Sequence, residues 1–378
     1  MDCSWQDFPI DSSAKQNVEI LSSTLRYLQM HSVAALVLEI FNFYQEQPHL
    51  LDPHLEGMIS ACLDVVHCSV SKPEVFHFAF RILYQMTKTR GYKAIIRLMP
   101  HSVDDIEPNL SLLMEQKVGT NWKTRYILLL WLSILVMVPF SLSRLDLPDK
   151  KPIIERVVDL AKLHLAQEER TQEAAAYLLA RTVTRPDALP LIVSWLIKSL
   201  KCDGRFTVIE NERLVCGVLR CIANICKLGR RTELLPHANS LLDAILQMSK
   251  DGFVGVLICH LKTKVLQRVG LLFCPPLNTT WRYYRGCRSL QDNLDLPNSP
   301  NNSNGLSVAN PLSNGNGQNI EISNIDEVAE VIDNLIGSLR SQYTHVRWSA
   351  AKIEVYCFLY TEFRLYVINP PKCFHHLQ

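Results

Sequence analysis

The residues best suited to bind a partner lie in the sequence WRYYRGCR, which runs from Trp281 to Arg288. Trp281, Arg285 and Arg288 are spaced at i, i+4 and i+7, so a helix would place them on one side. Tryptophan, tyrosine and arginine carry much of the binding energy at protein interfaces. The candidate partner-binding residues are therefore Trp281, Arg282, Tyr284, Arg285 and Arg288.

Two other roles are open to this cluster. Trp281 could pack between helices while the arginines cover its rim with their aliphatic stems. Arginine beside aromatic rings also suits single-stranded nucleic acid. The chain has 39 basic and 37 acidic residues, a net charge of +2, which argues against nucleic acid as the partner. The packing role and the protein-interface role remain open.

Residues that could bind a metal or transfer protons have less favourable spacing. Cys373, His375 and His376 lie close together, but their spacing matches no standard metal site. The acidic cluster at residues 104–107 directly precedes Pro108, which indicates the start of a helix. Acidic side chains are stabilising there because they face the positive end of the helix dipole. We therefore predict no metal site and no general acid–base pair at these positions.

The short motifs of common catalytic and nucleotide-binding sites are missing from the sequence. It contains no G-x-x-x-x-G-K-[ST], no G-x-G-x-x-G, no H-E-x-x-H and no G-x-S-x-G. The 12 cysteines are scattered without a C-x-x-C pair, which favours buried, reduced thiols in a cytoplasmic protein. The sequence therefore predicts neither an enzyme nor a bound cofactor.

Amphipathic helices must position these residues, because apolar side chains recur with helical spacing along most of the chain. One stripe consists of Val328, Val331, Ile332, Leu335, Ile336 and Leu339. Short polar breaks, such as those at 184–187 and 201–204, separate successive stripes. This pattern predicts an all-α, HEAT/armadillo-like helical-repeat solenoid built from antiparallel hairpins. An irregular helical bundle without a repeat is the alternative.

The most apolar segment, 127–140, contains Ser133 as its one polar residue. A helix that spans a membrane needs about 20 apolar residues, whereas this run is shorter and contains Pro139. We therefore predict a helix buried in the protein core and no transmembrane segment. Trp122 and Trp348 are predicted to anchor the core, as tryptophans beside apolar helices commonly do.

Composition divides the chain into four parts. Residues 1–296 are predicted to form the solenoid, and residues 297–325 a disordered linker rich in Asn, Ser, Gly and Pro. Residues 326–352 begin further helical repeats. The aromatic and β-branched tail at 353–378 loses the helical stripe, so we expect it to lie outside the repeat fold.

Several longer stretches carry a family resemblance. They are Tyr44–Glu56, Thr89–Lys93, Trp122–Ser133, Pro139–Phe140, Ser143–Asp146, Thr184–Asp187, Val265–Leu271, Trp281–Tyr283, Arg285–Leu290 and Val346–Lys352. They resemble the N-terminal region of the tubulin-specific chaperone D family, also called tubulin-folding cofactor D. The resemblance extends from about Phe43 to Lys352, and members of the family are several times longer than this chain.

The resemblance implies a cytoplasmic HEAT/armadillo-like solenoid, associated with the cytoskeleton, that captures β-tubulin and supports assembly of the α/β-tubulin heterodimer. It also implies cooperation with tubulin-folding cofactors C and E, binding of an Arf-like small GTPase, and an influence on microtubule dynamics. Members of the family act by holding a partner, and GTP hydrolysis in the complex occurs on tubulin. The missing catalytic motifs agree with such a role.

Two functions of other classes remain as alternatives. A GTPase-regulating factor, or GTPase activator, would supply an arginine such as Arg285 to the active site of its partner. Such an arginine must be exposed on a loop, whereas Arg285 is predicted to lie within a helix. A generic helical-repeat scaffold without tubulin specificity is the second alternative, because solenoid folds serve many partners.

We predict that Arg285→Ala and Arg288→Ala each weaken the capture of a protein partner by about 1 kcal/mol or more, because arginines at interfaces often contribute this much. Co-elution with the partner measures capture, and circular dichroism measures helicity, which we expect to be unchanged. A loss of helicity in these variants would instead assign the arginines to packing.

Overall fold

The computed structural model describes residues 31–68, 73–116, 120–167, 170–200, 208–248, 255–274 and 325–351 of the 378-residue chain. Within these ranges every regular element is a helix, which confirms the predicted all-α class. The linker predicted at 297–325 lies outside the described residues except for its last position, and the tail predicted at 353–378 lies wholly outside them.

The described residues form the following α-helices. They are α1 (His31–Phe43), α2 (Asp52–Cys68), α3 (Pro73–Arg90), α4 (Tyr92–Leu98), α5 (Ile106–Glu115), α6 (Trp122–Leu135), α7 (Ile153–Leu165), α8 (Thr171–Val183), α9 (Leu189–Leu200), α10 (Val208–Leu228), α11 (Arg231–Gln247), α12 (Val256–Phe273), α13 (Ile325–Leu339) and α14 (344–351). Short 3-10 helices lie at Pro48–Leu51, Val103–Asp105 and Leu142–Leu145.

The helices are arranged in two rows, as expected for stacked hairpins. The front row consists of α1, α3, α6, α8, α10 and α12, each of which packs against the next along the row. The back row consists of α2, α5, α7, α9 and α11, which pack against α3, α6, α8, α10 and α12, respectively. Helix α13 packs against α12. The succession of hairpins confirms the predicted helical-repeat architecture.

Helix α6 is almost entirely buried, with every side chain from Thr124 to Ser133 inside the core. It lies between α3 and α8 in the front row and is backed by α5. The indole N–H of Trp131 donates a hydrogen bond to the carbonyl of Pro100 at 2.7 Å. The prediction of a buried core helix is therefore confirmed. Among the described residues, no helix has the length and apolar character needed to cross a membrane.

The two tryptophans predicted to anchor the core differ in their surroundings. Trp122 is partly buried against the core, and its ring centroid lies 4.8 Å from that of Tyr84. Trp348 is 66% exposed, so the prediction is wrong for this residue. The reason is geometric, because α14 buries Val346 and Ala350, which leaves Trp348 on a different face.

Close packing between two of the helices depends on a glycine. A Cβ atom added at Gly270 of α12 would lie 2.8 Å from Cγ1 of Val331 in α13. Real Cβ atoms do not approach a carbon so closely, and the short, β-branched valine has little freedom to move aside. Gly270 therefore sets how near α13 can lie to α12.

Arg185 connects the segment that follows α8 to the end of α6. Its guanidinium donates hydrogen bonds to the carbonyls of Val136, Val138 and Phe140 at 3.0, 2.9 and 2.7 Å. The carboxylate of Asp187 lies 3.2 Å from Arg185 Nε and balances its charge. Arg185 is buried, so these carbonyls receive from one side chain the hydrogen bonds that water would otherwise supply.

We predict that Arg185→Ala lowers the free energy of unfolding by about 2–4 kcal/mol, because three carbonyls lose their donor. Arg185→Lys should lower the free energy of unfolding by less than Arg185→Ala does, since one ammonium group can reach some of the three carbonyls but not all of them. Urea denaturation followed by circular dichroism measures both. The exposed Arg230 is the control, and Arg230→Ala should change stability by less than about 0.5 kcal/mol. Equal effects of Arg185→Ala and Arg230→Ala would contradict this account.

His164 makes the stability of the fold sensitive to acid. Burial, together with the positive charge of Arg125, lowers the pKa of this histidine from 6.5 to about 4. The unfolded chain therefore takes up the proton at a higher pH than the folded chain does. The stability contributed by neutral His164 is present above pH 6.5 and is lost as the pH falls to about 4.

We predict that the protonation of His164 lowers the free energy of unfolding by up to about 3 kcal/mol as the pH falls from 6.5 to about 4. Urea titrations at a series of pH values measure the effect, and His164→Leu should flatten the curve in this window. Replacing the exposed His54 by Gln is the matched control and should leave the curve unchanged. An equally steep curve in the His164 variant would refute the assignment.

Candidate functional site

The residues predicted from sequence to bind a partner cannot be placed in the fold. Trp281, Arg282, Tyr284, Arg285 and Arg288 lie outside the described residues, as do Cys373, His375 and His376. Their proposed roles therefore remain predictions, and the candidate site is built from the residues that the structure describes.

The acidic cluster at residues 104–107 has a structural role, as predicted. Glu107 lies in the first turn of α5, and its carboxylate accepts hydrogen bonds from Arg156 at 2.7 Å and from Lys150 at 2.6 Å. The hydrogen bond from Arg156, supported by Lys150, lowers the pKa of Glu107 to about 2. A carboxylate that stays ionised and paired in this way links α5 to α7 and is poorly suited to act as a general acid.

Three cysteines of the described residues, Cys62, Cys216 and Cys221, are buried free thiols. Burial raises the pKa of the Cys226 thiol to about 12, so this side chain is not a thiolate nucleophile at neutral pH. Within the seven described ranges, no group of three or more His, Cys, Asp or Glu side chains is arranged to hold a metal ion.

A groove of about 350 Å³ crosses the exposed side of the front row, and we call it the front groove. Helices α4, α6, α8, α10 and α12 all contribute to its walls. Its lining residues are Tyr92, Tyr126, Leu130, Glu173, Ala174, Tyr177, Arg220, Ala223, Asn224, Leu257, His260, Leu261 and Lys264. A groove shared by five helices is a surface that only the assembled repeats can form.

Helical spacing explains why these side chains meet. Glu173 and Tyr177 are four residues apart on α8, and Arg220 and Asn224 are four apart on α10, so each pair shares a helix face. The other faces of these helices pack against the core or against the neighbouring helices of the row. The groove is therefore formed by the helix faces that the stacking of the row leaves uncovered.

Tyrosine rings form the aromatic part of the front groove. The rings of Tyr92 and Tyr177 meet edge to face, with centroids 5.3 Å apart, and Tyr126 contacts Tyr84 in the same way at 5.5 Å. Burial raises the pKa of Tyr92 and of Tyr126, so both hydroxyl groups are protonated at neutral pH. Such rings supply rigid contact area together with a hydroxyl group that can bond to a partner.

Charged side chains on the groove are held in position by hydrogen bonds. Arg220 Nη1 lies 2.7 Å from a carboxylate oxygen of Glu173, which joins α10 to α8. Arg181 donates hydrogen bonds from Nε and Nη2 to the hydroxyl of Tyr177, at 3.1 and 2.9 Å. These contacts fix the orientation of side chains that a partner would meet.

The positive charges of Lys93 on α4 and Arg268 on α12 both act on Lys227, which lies near the end of α10. Lys227 lies on the same face of α10 as the lining residues Ala223 and Asn224. The neighbouring charge of Lys93 is the largest cause of a lowered pKa of Lys227, with further contributions from burial and Arg268. Arg268 is fixed by a hydrogen bond from its Nη1 to the carbonyl of Ala223.

The front groove has the chemistry of a protein-binding surface. It combines three tyrosine rings with Arg220 on a row of packed helices, and tyrosine and arginine are enriched among interface hot spots. The groove was not among the features predicted from the sequence, although one signal for it was present. Tyr126 and Leu130 on α6, and Glu173 and Tyr177 on α8, form i, i+4 pairs of groove-lining residues beside the core stripe.

Comparison with known proteins agrees with the repeat architecture. The family model "Tubulin-specific chaperone D-like, ARM repeat" matches residues 41–202, and "Tubulin-specific chaperone D-like, ARM repeats" matches residues 257–355. Among solved structures, an engineered protein shares 14% identity at a TM-score of 0.39, over 69% of this chain and 97% of its own. A similarity this low does not establish a shared fold.

Two curated proteins carry names of the same family. Tubulin-specific chaperone D of Dictyostelium discoideum is 22% identical, over 76% of this chain and 26% of its own length. Tubulin-folding cofactor D of Schizosaccharomyces pombe is 26% identical, over 90% of this chain and 27% of its own length. The chain thus spans about a quarter of the length of these relatives. Because its helical hairpins match the repeats of this family on both sides of α10, the chain belongs to the tubulin-specific chaperone D-like family.

Proposed function

We propose that this chain acts as a tubulin-folding chaperone, or as the helical-repeat portion of one, that captures β-tubulin and supports assembly of the α/β-tubulin heterodimer. It acts by holding its partner, without a covalent reaction of its own. The observation that carries the proposal is the match of its hairpins to the repeats of a family whose named members are tubulin chaperones.

The front groove supports this function physically. A folding intermediate presents an extended surface, so its capture requires contacts spread over several helices rather than an enclosed pocket. The groove offers such contacts, with tyrosine rings from α4, α6 and α8 and basic side chains from α10 and α12. We propose that β-tubulin is held along this side of the front row.

Further partners follow from the family as part of the same proposal. They are tubulin-folding cofactors C and E and an Arf-like small GTPase, and the complex acts in the cytoplasm in association with the cytoskeleton. Through the supply of assembled tubulin, the chain would influence microtubule dynamics. These partners can contact repeats beyond the quarter of the relatives' length that this chain spans.

We predict that the 378-residue chain co-elutes with β-tubulin freshly released from the cytosolic chaperonin on a sizing column. A single shifted peak that contains both proteins is the expected result, because the contacting helices are all present in the chain. Separate peaks from a chain that circular dichroism shows to be helical would overturn the proposal for this chain.

A second protein released from the same chaperonin serves as the control for specificity. Co-elution with that protein as well would favour the generic scaffold over the tubulin chaperone. The GTPase-regulating alternative has a separate test, in which GTP hydrolysis by an Arf-like GTPase is measured with and without the chain. Acceleration that Arg285→Ala abolishes would favour that alternative.

A further inference from the structure

Arg81 and Lys88 on α3 and Lys123 on α6 form a surface that we call the basic patch. We propose that the basic patch binds an acidic peptide segment of a partner protein. Such binding deepens the proposed function by giving a ligand chemistry to one part of the front row, and it rests on that function only in taking the partner to be a protein.

The residues of the basic patch are brought together by helical spacing and by one tyrosine ring. Arg81, Tyr84 and Lys88 are spaced at i, i+3 and i+7 on α3, so they share one face of the helix. The Nζ atom of Lys123 lies 5.5 Å from the centroid of the Tyr84 ring. Lys123 therefore stands over a ring that has Arg81 one turn before it and Lys88 one turn after it.

Aromatic rings hold two of these cations in place without neutralising them. Nζ of Lys123 also lies 5.8 Å from the centroid of the Trp122 ring, and the guanidinium carbon of Arg81 lies 5.8 Å from that of Phe78. Such contacts orient a cation, but a ring carries no net charge. The patch therefore keeps its positive charge at a fixed place, so less side-chain entropy is lost when a partner binds.

No carboxylate of the described residues forms an ion pair with a cation of the basic patch. Glu74 on α3 lies seven residues before Arg81, about 10 Å along the helix, which exceeds the Debye length of about 8 Å at physiological salt. Elsewhere, neighbouring cations share a carboxylate, as Lys150 and Arg156 share Glu107. The basic patch lacks such a group, and a carboxylate from a partner would supply it.

The electrostatics of Lys123 agree with this arrangement. Burial is the largest cause of a lowered pKa of Lys123, and the positive charges of Arg81 and Lys88 add to it. These like charges repel one another while the patch is unoccupied. A carboxylate bound among them would relieve the repulsion and stabilise the charged form of the lysine.

The basic patch is continuous with the front groove through aromatic rings. The ring of Tyr84 lies edge to face with that of Tyr126, with centroids 5.5 Å apart, and Tyr126 lines the groove. A segment bound at the patch can therefore continue into the groove. Its acidic residues belong at the patch, because Glu173 lies in the groove with 55% of its side chain exposed and would repel them.

The spacing of the cations sets the length of the acidic stretch. Arg81 and Lys88 are seven residues apart on α3, which is about 10 Å along the helix axis. An extended chain advances about 3.3 Å per residue, so about four residues span this distance. Two or three acidic residues within such a stretch would contact the cations of the patch.

Single-stranded nucleic acid fits the basic patch less well. A base stacks on an open aromatic face, whereas Tyr84 is only 7% exposed and already has a cation over its ring. A strand would therefore meet cations for its phosphates but no open ring for its bases. A peptide carboxylate needs only the cations. The net charge of +2 also lacks the basic excess typical of nucleic-acid binding.

The test measures binding of a fluorescein-labelled octaglutamate peptide to the whole chain by fluorescence anisotropy, with octaglutamine as the neutral control peptide. We expect octaglutamate to bind, with an affinity that falls as salt is raised, and octaglutamine not to bind. Lys88→Glu should weaken octaglutamate binding about tenfold or more, because it reverses an exposed charge of the patch. Lys198→Glu makes the same charge change at an exposed site on α9 in the back row, and should change affinity less than about twofold.

Two substitutions of Arg81 separate its charge from its packing. Arg81→Gln should weaken octaglutamate binding several-fold, whereas Arg81→Lys, which keeps the charge, should bind within about twofold of the unaltered chain. Circular dichroism should show unchanged helicity in both, because Arg81 is exposed. Equal losses of affinity from Arg81→Gln and Arg81→Lys, or from Lys88→Glu and Lys198→Glu, would overturn the proposal. Tighter binding of a labelled oligouridine than of octaglutamate would also overturn it.

The outcomes for the peptide and for tubulin are distinguishable. If β-tubulin co-elutes but octaglutamate does not bind, the acidic-peptide site is wrong and the chaperone function stands. If octaglutamate binds through Arg81 and Lys88 but β-tubulin does not co-elute, the site stands and the proposed function of this chain is wrong.

Discussion

The stacking of α6 against α8 is the contact on which the described structure depends. Helix α6 is apolar on nearly all sides, so it is stable only where neighbours cover it completely. Helix α8 can lie close to it because the alanines at 174–176 add little bulk. Arg185 then closes the end of this pair by satisfying the carbonyls that follow α6. Each further hairpin repeats this arrangement, in which a front-row helix is covered by the next.

The front groove follows from the same stacking. A front-row helix contacts the helices before and after it as well as one behind it, which leaves a single face for binding. Side chains on that face are brought together by the row and not by neighbouring positions in the sequence. The end of the groove near α12 is tied to α14 as well, because Ser349 and His260 share a hydrogen bond of 3.0 Å. The binding surface and the core are therefore two sides of one set of helices.

The sequence predicted those features that depend on local periodicity. Apolar stripes identified the all-α repeat fold, and the short length of the apolar run at 127–140 identified a buried helix. The i, i+4 spacing of groove-lining residues was harder to recognise, because Tyr126 lies in a helix so apolar that it resembles core. The ion pair between Glu173 and Arg220 is set by the packing of α8 against α10, which no local pattern records. Trp348 was misassigned because residue type alone does not say which face of a helix a neighbour covers.

Gly270, which lies beneath Val331, has a consequence at the level of the genetic code. Any single-base change in a glycine codon that replaces the residue introduces a side chain with at least a Cβ atom. Each of those replacements would push α13 away from α12, whatever its polarity or charge. Mutation at this codon therefore offers no replacement that avoids the contact with Val331. The position is expected to be depleted of missense variation even though it takes no part in binding.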